Sequence, residues 1–124
     1  DNRHQAFAED AFKFLDTMGD QYDLIILDPP AFAKHKKVLN NALQGYRKLN
    51  AKAFEKIRPG GILFTFSCSQ VVSKENFRLA VFSAAAQSGR NVRILHQLTQ
   101  PADHPVNIYH PEGEYLKGLV LYVE

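Results

Sequence analysis

The sequence is poor in cysteine, in long apolar runs and in net charge. Its one Cys cannot form an internal disulfide, which favours a reducing, cytoplasmic setting. No apolar run approaches the length of a membrane span, and the amino terminus has no signal-peptide character. The net charge of +2 neither demands nor excludes nucleic acid, because a basic binding surface depends on local clustering. What remains is the composition of an ordinary globular domain of 124 residues, with 45% hydrophobic and 23% charged residues.

The sequence also lacks a metal-ligand pattern. A structural or catalytic metal site usually draws on ligands at short, compact spacings. The histidines show no such spacing: they are His4, His35, His96, His104 and His110. We therefore expect no metal.

Helical and strand patterns alternate along most of the chain. Apolar spacing predicts helices over residues 8–18 and 38–57, the first stopped by Gly19 and the second by "RPGG". A third helix begins at the N-cap Ser73 and ends at Gly89. β-rich apolar runs predict strands over residues 22–27, 62–68, 92–100 and 115–124.

This element order predicts an α/β fold with a mixed sheet. Strands separated by helices are expected to be parallel and joined by right-handed crossovers. The last two strands are joined without a helix by "PADHPVNIYHPEGE", which favours an antiparallel pair.

Chemistry-bearing residues follow two of these strands. In "DLIILDPPAFAK" four apolar residues, typical of a strand covered on both faces, run into Asp28 and two prolines that forbid the strand's continuation. Asp28 is thus placed at a carboxyl edge, where α/β sheets bind ligands, although an Asp-Pro loop start explains it equally well. Cys68 in "FSCSQ" ends the next strand, ahead of a capped helix whose N-terminus can favour a thiolate. A lone Cys in a strand is more often an inert small hydrophobe, but parallel neighbours would bring both residues to one edge.

Four motifs in order carry a family resemblance. "DPPAF", "GGILFTFSCS", "ADHPV" and "PEGEYLKG" resemble the carboxyl-terminal half of class I S-adenosylmethionine (SAM)-dependent methyltransferases, in the PUA-bearing family that methylates cytosine C5 in large-subunit ribosomal RNA. The resemblance covers nearly the whole chain. It implies a partial Rossmann-like sheet of strand order 4-5-7-6, with the last strand antiparallel, and a cytoplasmic RNA-binding enzyme with SAM as methyl donor.

The resemblance also implies residue roles. Asp10 and Ala11 in "EDAF" match the segment that meets the adenine of the donor, and Asp28 and Pro29 are assigned to the donor side of the pocket as well. Asp28 matches the acid that holds the target base, and Cys68 matches the nucleophile. The wall of the base pocket and the RNA contacts are assigned to Pro30, Phe32, Lys34 and His104.

Two further segments have less specific patterns. Asp103, His104 and His110 could line the base pocket or supply a proton-abstracting base, and a loop ordered by its own Asp and Pro turns is at least as good an explanation. The basic run from Lys34 to Lys37 could hold RNA phosphates, although such a run more often starts a solvated helix.

The sequence departs from the family pattern in lacking the RNA-binding modules, the first strands and the Gly-rich donor loop. We therefore expect residues 1–124 to be a fragment, the carboxyl-terminal half of a methyltransferase domain, that binds the donor weakly and does not turn over alone. The strand Tyr22–Leu27 would then be an open apolar edge through which the chain self-associates.

Two other functions remain open. Methylation of a base nitrogen would need Asp28 and Phe32 but would leave Cys68 structural. A non-catalytic RNA-binding module would keep the fold without the chemistry.

Overall fold

Four strands and three α-helices make up the regular structure of the residues described by the computed structural model, which are residues 8, 10–19, 22–31 and 39–124. The strands are β1 (Tyr22–Leu27), β2 (Ile57–Ser67), β3 (Val92–Leu98) and β4 (Lys117–Val123). The helices are α1 (Ala11–Thr17), α2 (Leu39–Lys56) and α3 (Lys74–Ser88), and a short 3-10 turn occupies Pro111–Gly113.

The sheet has the order β1-β2-β4-β3. β1 and β2 are parallel, and β4 runs antiparallel to both of its neighbours, β2 and β3. The predicted α/β class and the mixed sheet with an antiparallel last strand are confirmed. The carboxyl ends of β1 and β2 therefore lie at the same edge of the sheet.

The start of β2 differs from the prediction. Helix α2 ends at Lys56 and β2 begins at Ile57, so "RPGG" lies inside the strand and does not separate the two elements. Ile57 pairs with Tyr22 while Ile62 pairs with Leu24, so β2 bulges between these two pairs. Gly60, with φ of 86°, supplies the left-handed conformation that the bulge needs.

The helix ends follow their capping chemistry. The hydroxyl of Ser73 accepts the Asn76 amide at 3.0 Å, and Gly89 closes α3 with φ of 71°, as predicted. Helix α1 is shorter than predicted at its start, because Asp10 caps it and the helix begins at Ala11.

The connection between β3 and β4 is longer than predicted. β3 ends at Leu98 and β4 begins at Lys117. The backbone amide of Tyr115 donates to the side chain of Gln100 at 2.8 Å. Tyr115 was predicted to lie in the last strand, but its amide is thus satisfied by a side chain and not by a neighbouring strand.

The core lies between one face of the sheet and helices α2 and α3. Tyr46 of α2 and Phe77 of α3 meet edge to face with ring centroids 5.6 Å apart, and both are buried with Leu63 of β2 and Leu121 of β4. The prediction that β1 is covered on both faces is wrong, since Leu24 is 53% exposed and Ile26 is 63% exposed.

In the part of the chain that the structure describes, no helix has the length and apolar character to cross a membrane.

Candidate functional site

A cleft of about 430 Å³ lies between the start of α1 and the end of β1; we call it the β1 cleft. It brings together five residues that the sequence assigns to the donor and the base, which lie at the two ends of the 21-residue stretch from Asp10 to Pro30. Its lining comprises Asp10, Ala11, Phe12, Ile26, Leu27, Asp28, Pro29, Pro30 and Leu49. The cleft is therefore mostly apolar, with one carboxylate on each side.

Asp10 is fixed at the rim of the β1 cleft by its role as a helix cap. Its Oδ1 accepts the backbone amides of Phe12 at 2.9 Å and Lys13 at 3.3 Å. Both bonds use Oδ1, and Oδ2 accepts no hydrogen bond from the residues that the structure describes. The cap thus holds a carboxylate with a spare acceptor against apolar walls, a suitable partner for an amino group on a flat aromatic ring.

Asp28 and Cys68 lie at the same edge of the sheet on adjacent strands. The last pair of the β1–β2 ladder joins Leu27 to Thr65, and β2 continues to Ser67. Asp28 is exposed and Cys68 is half-buried. Each directly follows the buried last residue of its strand, Leu27 of β1 or Ser67 of β2. The parallel register therefore places the two residues at the same edge of the sheet.

The residues on either side of Cys68 are held rigidly. Ser67 and Ser69 are buried, the Ser67 hydroxyl bonds to the Tyr46 hydroxyl at 2.9 Å, and the Ser69 amide donates to Ser67 Oγ at 3.3 Å. The Ser69 carbonyl accepts the ammonium of Lys117 at 2.7 Å. Cys68 is therefore carried by a turn whose backbone and flanking side chains are fixed from α2 and from β4.

Lys117 is a buried cation beside this turn. Only 6% of it is exposed, and its Nζ donates to the backbone carbonyls of Ser69 at 2.7 Å and Tyr115 at 2.6 Å. Burial lowers the pKa of Lys117 from its usual range, while the neighbouring Cys68 and Glu114 act in the opposite direction. The sequence patterns considered above do not single out Lys117. The available signal was a lysine at the head of an otherwise apolar strand, in "YLKGLVLYV".

Lys74 and Glu114 form an ion pair near Lys117. Lys74 Nζ lies 2.7 Å from Glu114 Oε1, and this hydrogen bond and charge lower the pKa of Glu114. The pair joins the first residue of α3 to the loop before β4. It therefore fixes the loop that leads into Lys117.

The β3–β4 loop holds His104 by local contacts. The His104 amide donates to the Pro101 carbonyl at 3.0 Å, and Gln100 Nε2 donates to the His104 carbonyl at 3.1 Å. The imidazole is exposed and lies 3.9 Å from the Asp103 carboxylate. His104 is not among the described residues that line the β1 cleft, so the structure does not bring this predicted base-contacting residue to it.

Other predicted contacts lie outside the described residues. These are Phe32 and the basic run that begins at Lys34. Among the residues that the structure does describe, no group of three or more His, Cys, Asp and Glu side chains could hold a metal ion.

The chain is similar in sequence to one part of several bacterial proteins named Ribosomal RNA large subunit methyltransferase I. It is 47% identical to that of Tolumonas auensis over 116 residues, which is 91% of this chain and 29% of the relative. It is 44% identical to that of Aeromonas hydrophila over 120 residues, covering 94% of this chain and 30% of the relative. The chain thus spans about a third or less of the curated relatives it matches. No family model matches it.

Solved structures share the fold. A crystal structure of a protein assigned as a methyltransferase and complexed with SAH superimposes with a TM-score of 0.75 at 23% identity, over 93% of this chain and 30% of that chain. A protein of Streptococcus mutans assigned as a SAM-dependent methyltransferase gives a TM-score of 0.73 at 20% identity over the same shares. The four-stranded sheet and its helices are therefore a methyltransferase-type fold.

Proposed function

We propose that the complete protein containing this chain transfers a methyl group from SAM to C5 of cytosine in large-subunit ribosomal RNA. The observation that carries the proposal is that Asp28 and Cys68 follow the ends of two adjacent parallel strands at one edge of the sheet, where Asp28 lines the β1 cleft. The names of the relatives support the RNA substrate, and the fold supports the methyl donor. The choice of C5 rests on the presence of a cysteine in a fixed turn.

The chemistry explains why a cysteine is needed. C5 of cytosine is a poor nucleophile, so the Cys68 thiolate adds to C6 and makes C5 enamine-like. C5 then takes the methyl group, a base removes the C5 proton, and the thiolate leaves. Asp28, if protonated or bridged by water, would stabilise charge at the N3 and O2 edge of the pyrimidine.

The β1 cleft is suited to the adenosine part of the donor. Its apolar walls fit a flat ring, and Oδ2 of Asp10, the carboxylate oxygen not used in the helix cap, fits an exocyclic amine. When bound, SAM supplies an electrophilic methyl group on a sulfonium. Asp10, Ala11 and Pro29 would hold the donor, while Asp28 and Pro30 at the other side of the cleft face the base.

Covalent trapping tests the nucleophile. RNA containing 5-fluorocytosine has no C5 proton to lose, so after methyl transfer the thiolate stays bonded to C6. We expect a SAM-dependent protein–RNA adduct with the wild-type complete protein and none with Cys68→Ser. An adduct of equal yield with Cys68→Ser would show that another residue is the nucleophile, and methylation without any adduct would instead support methylation of a nitrogen. Absence of both methylation and trapping would support a non-catalytic RNA-binding module.

Donor binding tests the β1 cleft separately. In the complete protein, Asp10→Ala should weaken SAM binding measured by calorimetry, whereas Cys68→Ser should leave it unchanged. For residues 1–124 alone we expect weak or undetectable SAM binding and no turnover. Tight SAM binding by residues 1–124 alone would contradict this expectation.

We also propose that residues 1–124 alone self-associate through β1. The strand lies at the edge of the described sheet, and its Leu24 and Ile26 side chains are more than half exposed. Sedimentation velocity should show concentration-dependent association that Ile26→Lys reduces. A monodisperse monomer for the unmodified chain would overturn this proposal.

A further inference from the structure

We propose that Tyr46 is a positioning residue for Cys68 that acts through Ser67: the tyrosine hydroxyl fixes the serine whose oxygen closes the turn around the cysteine. The inference rests on the proposed function, because it concerns how the proposed nucleophile is held against C6 of the base. It goes beyond that function by assigning part of the reaction rate to a fully buried side chain of α2, which the RNA cannot reach.

The turn around Cys68 is closed by the side chain of Ser67. The backbone amide of Ser69 donates to Ser67 Oγ at 3.3 Å, so the hydroxyl oxygen takes the place of a backbone carbonyl in a tight turn. The ring of atoms closed by this bond contains the whole backbone of Cys68. Because the backbone sets the direction of the Cα–Cβ bond, the Ser67 hydroxyl limits where the Cys68 sulfur can lie.

Tyr46 fixes the orientation of the Ser67 hydroxyl. Ser67 Oγ donates to Tyr46 Oη at 2.9 Å while the same oxygen accepts the Ser69 amide, so one side-chain rotamer serves both bonds. Tyr46 and Ser67 have no exposed surface, and bulk water therefore does not replace the tyrosine as an acceptor. Without the tyrosine oxygen, the buried serine hydroxyl would turn towards another acceptor and lose its alignment with the Ser69 amide.

The Tyr46 ring is itself held in one place. It lies in the middle of α2 and meets the ring of Phe77 of α3 edge to face, with centroids 5.6 Å apart and both residues buried. An aromatic ring packed between two helices has little room to move, so its hydroxyl is a fixed point for the turn. On the other side of Cys68, the Ser69 carbonyl accepts the Lys117 ammonium at 2.7 Å. Tyr46→Phe therefore loosens the turn on one side and leaves it attached on the other.

The position of the sulfur affects the rate of the reaction more than the binding of its substrates. The thiolate must lie in line with C6 to add to it, and a misplacement of about 1 Å can slow such a step roughly a hundredfold. The buried hydroxyls of Tyr46 and Ser67 do not form part of the surface that RNA or SAM contacts. Loss of the Tyr46 hydroxyl should therefore lower the rate of methyl transfer and leave the affinity for RNA unchanged.

The test is the single-turnover rate of methyl transfer by the complete protein at saturating RNA and SAM. Ile57→Val is the matched control, because it removes one carbon from a buried side chain at the opposite end of β2 and costs a similar amount of stability. Circular dichroism gives the folded fraction by which each rate is divided. We expect Tyr46→Phe to slow the reaction by about tenfold or more, with the rate of Ile57→Val and the half-saturating RNA concentration of both variants changing by less than about twofold.

A double-mutant cycle tests the route through Ser67. Ser67→Ala removes the oxygen that both bonds share, so adding Tyr46→Phe to it should slow the reaction no further. If the two losses multiply in the double variant, Tyr46 does not act through Ser67 and the inference is overturned. If Ser67→Ala does not fold, the comparison of Tyr46→Phe with Ile57→Val alone decides.

The outcomes separate this inference from the proposed function. A rate for Tyr46→Phe within about threefold of that for Ile57→Val, or a loss confined to RNA affinity, would overturn the role of Tyr46. C5 methylation would still stand in that case, provided that the wild type is trapped by RNA containing 5-fluorocytosine. Absence of a wild-type adduct would instead remove the proposed function, and this inference with it.

Discussion

The hydroxyl of Ser67 donates to the hydroxyl of Tyr46 at 2.9 Å, and neither residue is exposed to solvent. This bond joins the end of β2 to the middle of α2, one residue before Cys68. It therefore connects the core of the domain directly to the candidate site.

Tyr46→Phe tests this connection. Removing the hydroxyl deprives Ser67 of one buried partner while leaving the ring's contact with Phe77, so we expect a loss of about 1 kcal/mol in the free energy of unfolding. Urea denaturation measures it. Tyr109→Phe, at a ring that is 85% exposed, is the matched control and should change stability little. Equal stability of the two variants would contradict a structural role for the Tyr46 hydroxyl.

Arg90 is expected to stabilise the junction of α2, β2 and the end of β4. Its Nη1 donates to the carbonyls of Phe54 at 2.6 Å and Ile57 at 2.5 Å, and its Nε donates to the carbonyl of Glu124 at 3.0 Å. Arg90→Met leaves these acceptors without their charged donor and should cost about 2–3 kcal/mol of unfolding free energy.

Arg93→Met is the comparison for Arg90. The Arg93 side chain is 75% exposed, and its guanidinium is 3.6 Å from the Glu124 carboxylate, so its loss should cost below about 0.5 kcal/mol. Both values come from chemical denaturation. Similar losses for the two arginines would show that the three carbonyl bonds contribute little.

Gly61 is expected to tolerate no side chain. A Cβ there would lie 2.6 Å from Ile57 Cγ1 and 2.9 Å from the carbonyl oxygens of Arg58 and Asp23. Because two of these atoms belong to the backbone of the bulge, Gly61→Ala should destabilise the fold by about 2 kcal/mol or more. Gly113→Ala, whose Cβ would approach nothing closer than 4.0 Å, should change the melting temperature little.

Lys117 also predicts a pH dependence of stability. Burial lowers its folded-state pKa below the ordinary value of 10.5. Between the lowered pKa and 10.5 the unfolded chain binds a proton here that the folded chain does not, so stability gains from this group as the pH rises. The unfolding free energy of wild type minus that of Lys117→Met should therefore increase from neutral pH towards pH 10. A difference that is constant or falls would show that the pKa is not lowered.

Local chemistry explains which parts of the fold were predictable. The caps Ser73 and Gly89 and the strand Tyr22–Leu27 depend on neighbouring residues and match the structure. The start of β2 does not match its predicted position, because the pairing of Ile57 with Tyr22 outweighs the turn preference of "RPGG". That pairing joins residues 35 positions apart, and no local pattern encodes it.

The candidate site was predictable to a similar extent. Residues adjacent in sequence to a strand end or a helix start, such as Asp10, Asp28 and Pro29, do meet in the β1 cleft. The surroundings of His104 and Lys117 could not be predicted from sequence, because the position of His104 depends on how a long loop packs and that of Lys117 on how a neighbouring strand packs. From sequence alone, a lysine at the start of an apolar strand is expected to be exposed, because the residues that cover it are not known.

The position of β4 affects the order in which the sheet can form during protein synthesis. β4 leaves the ribosome after the other three strands, yet it lies between β2 and β3. In a nascent chain that has emerged only as far as β3, the edges of β2 and β3 that later face β4 therefore lack their hydrogen-bonding partner. Because the Ser69 carbonyl accepts a hydrogen bond from Lys117 of β4, the turn that holds Cys68 gains this cation only when β4 joins the sheet.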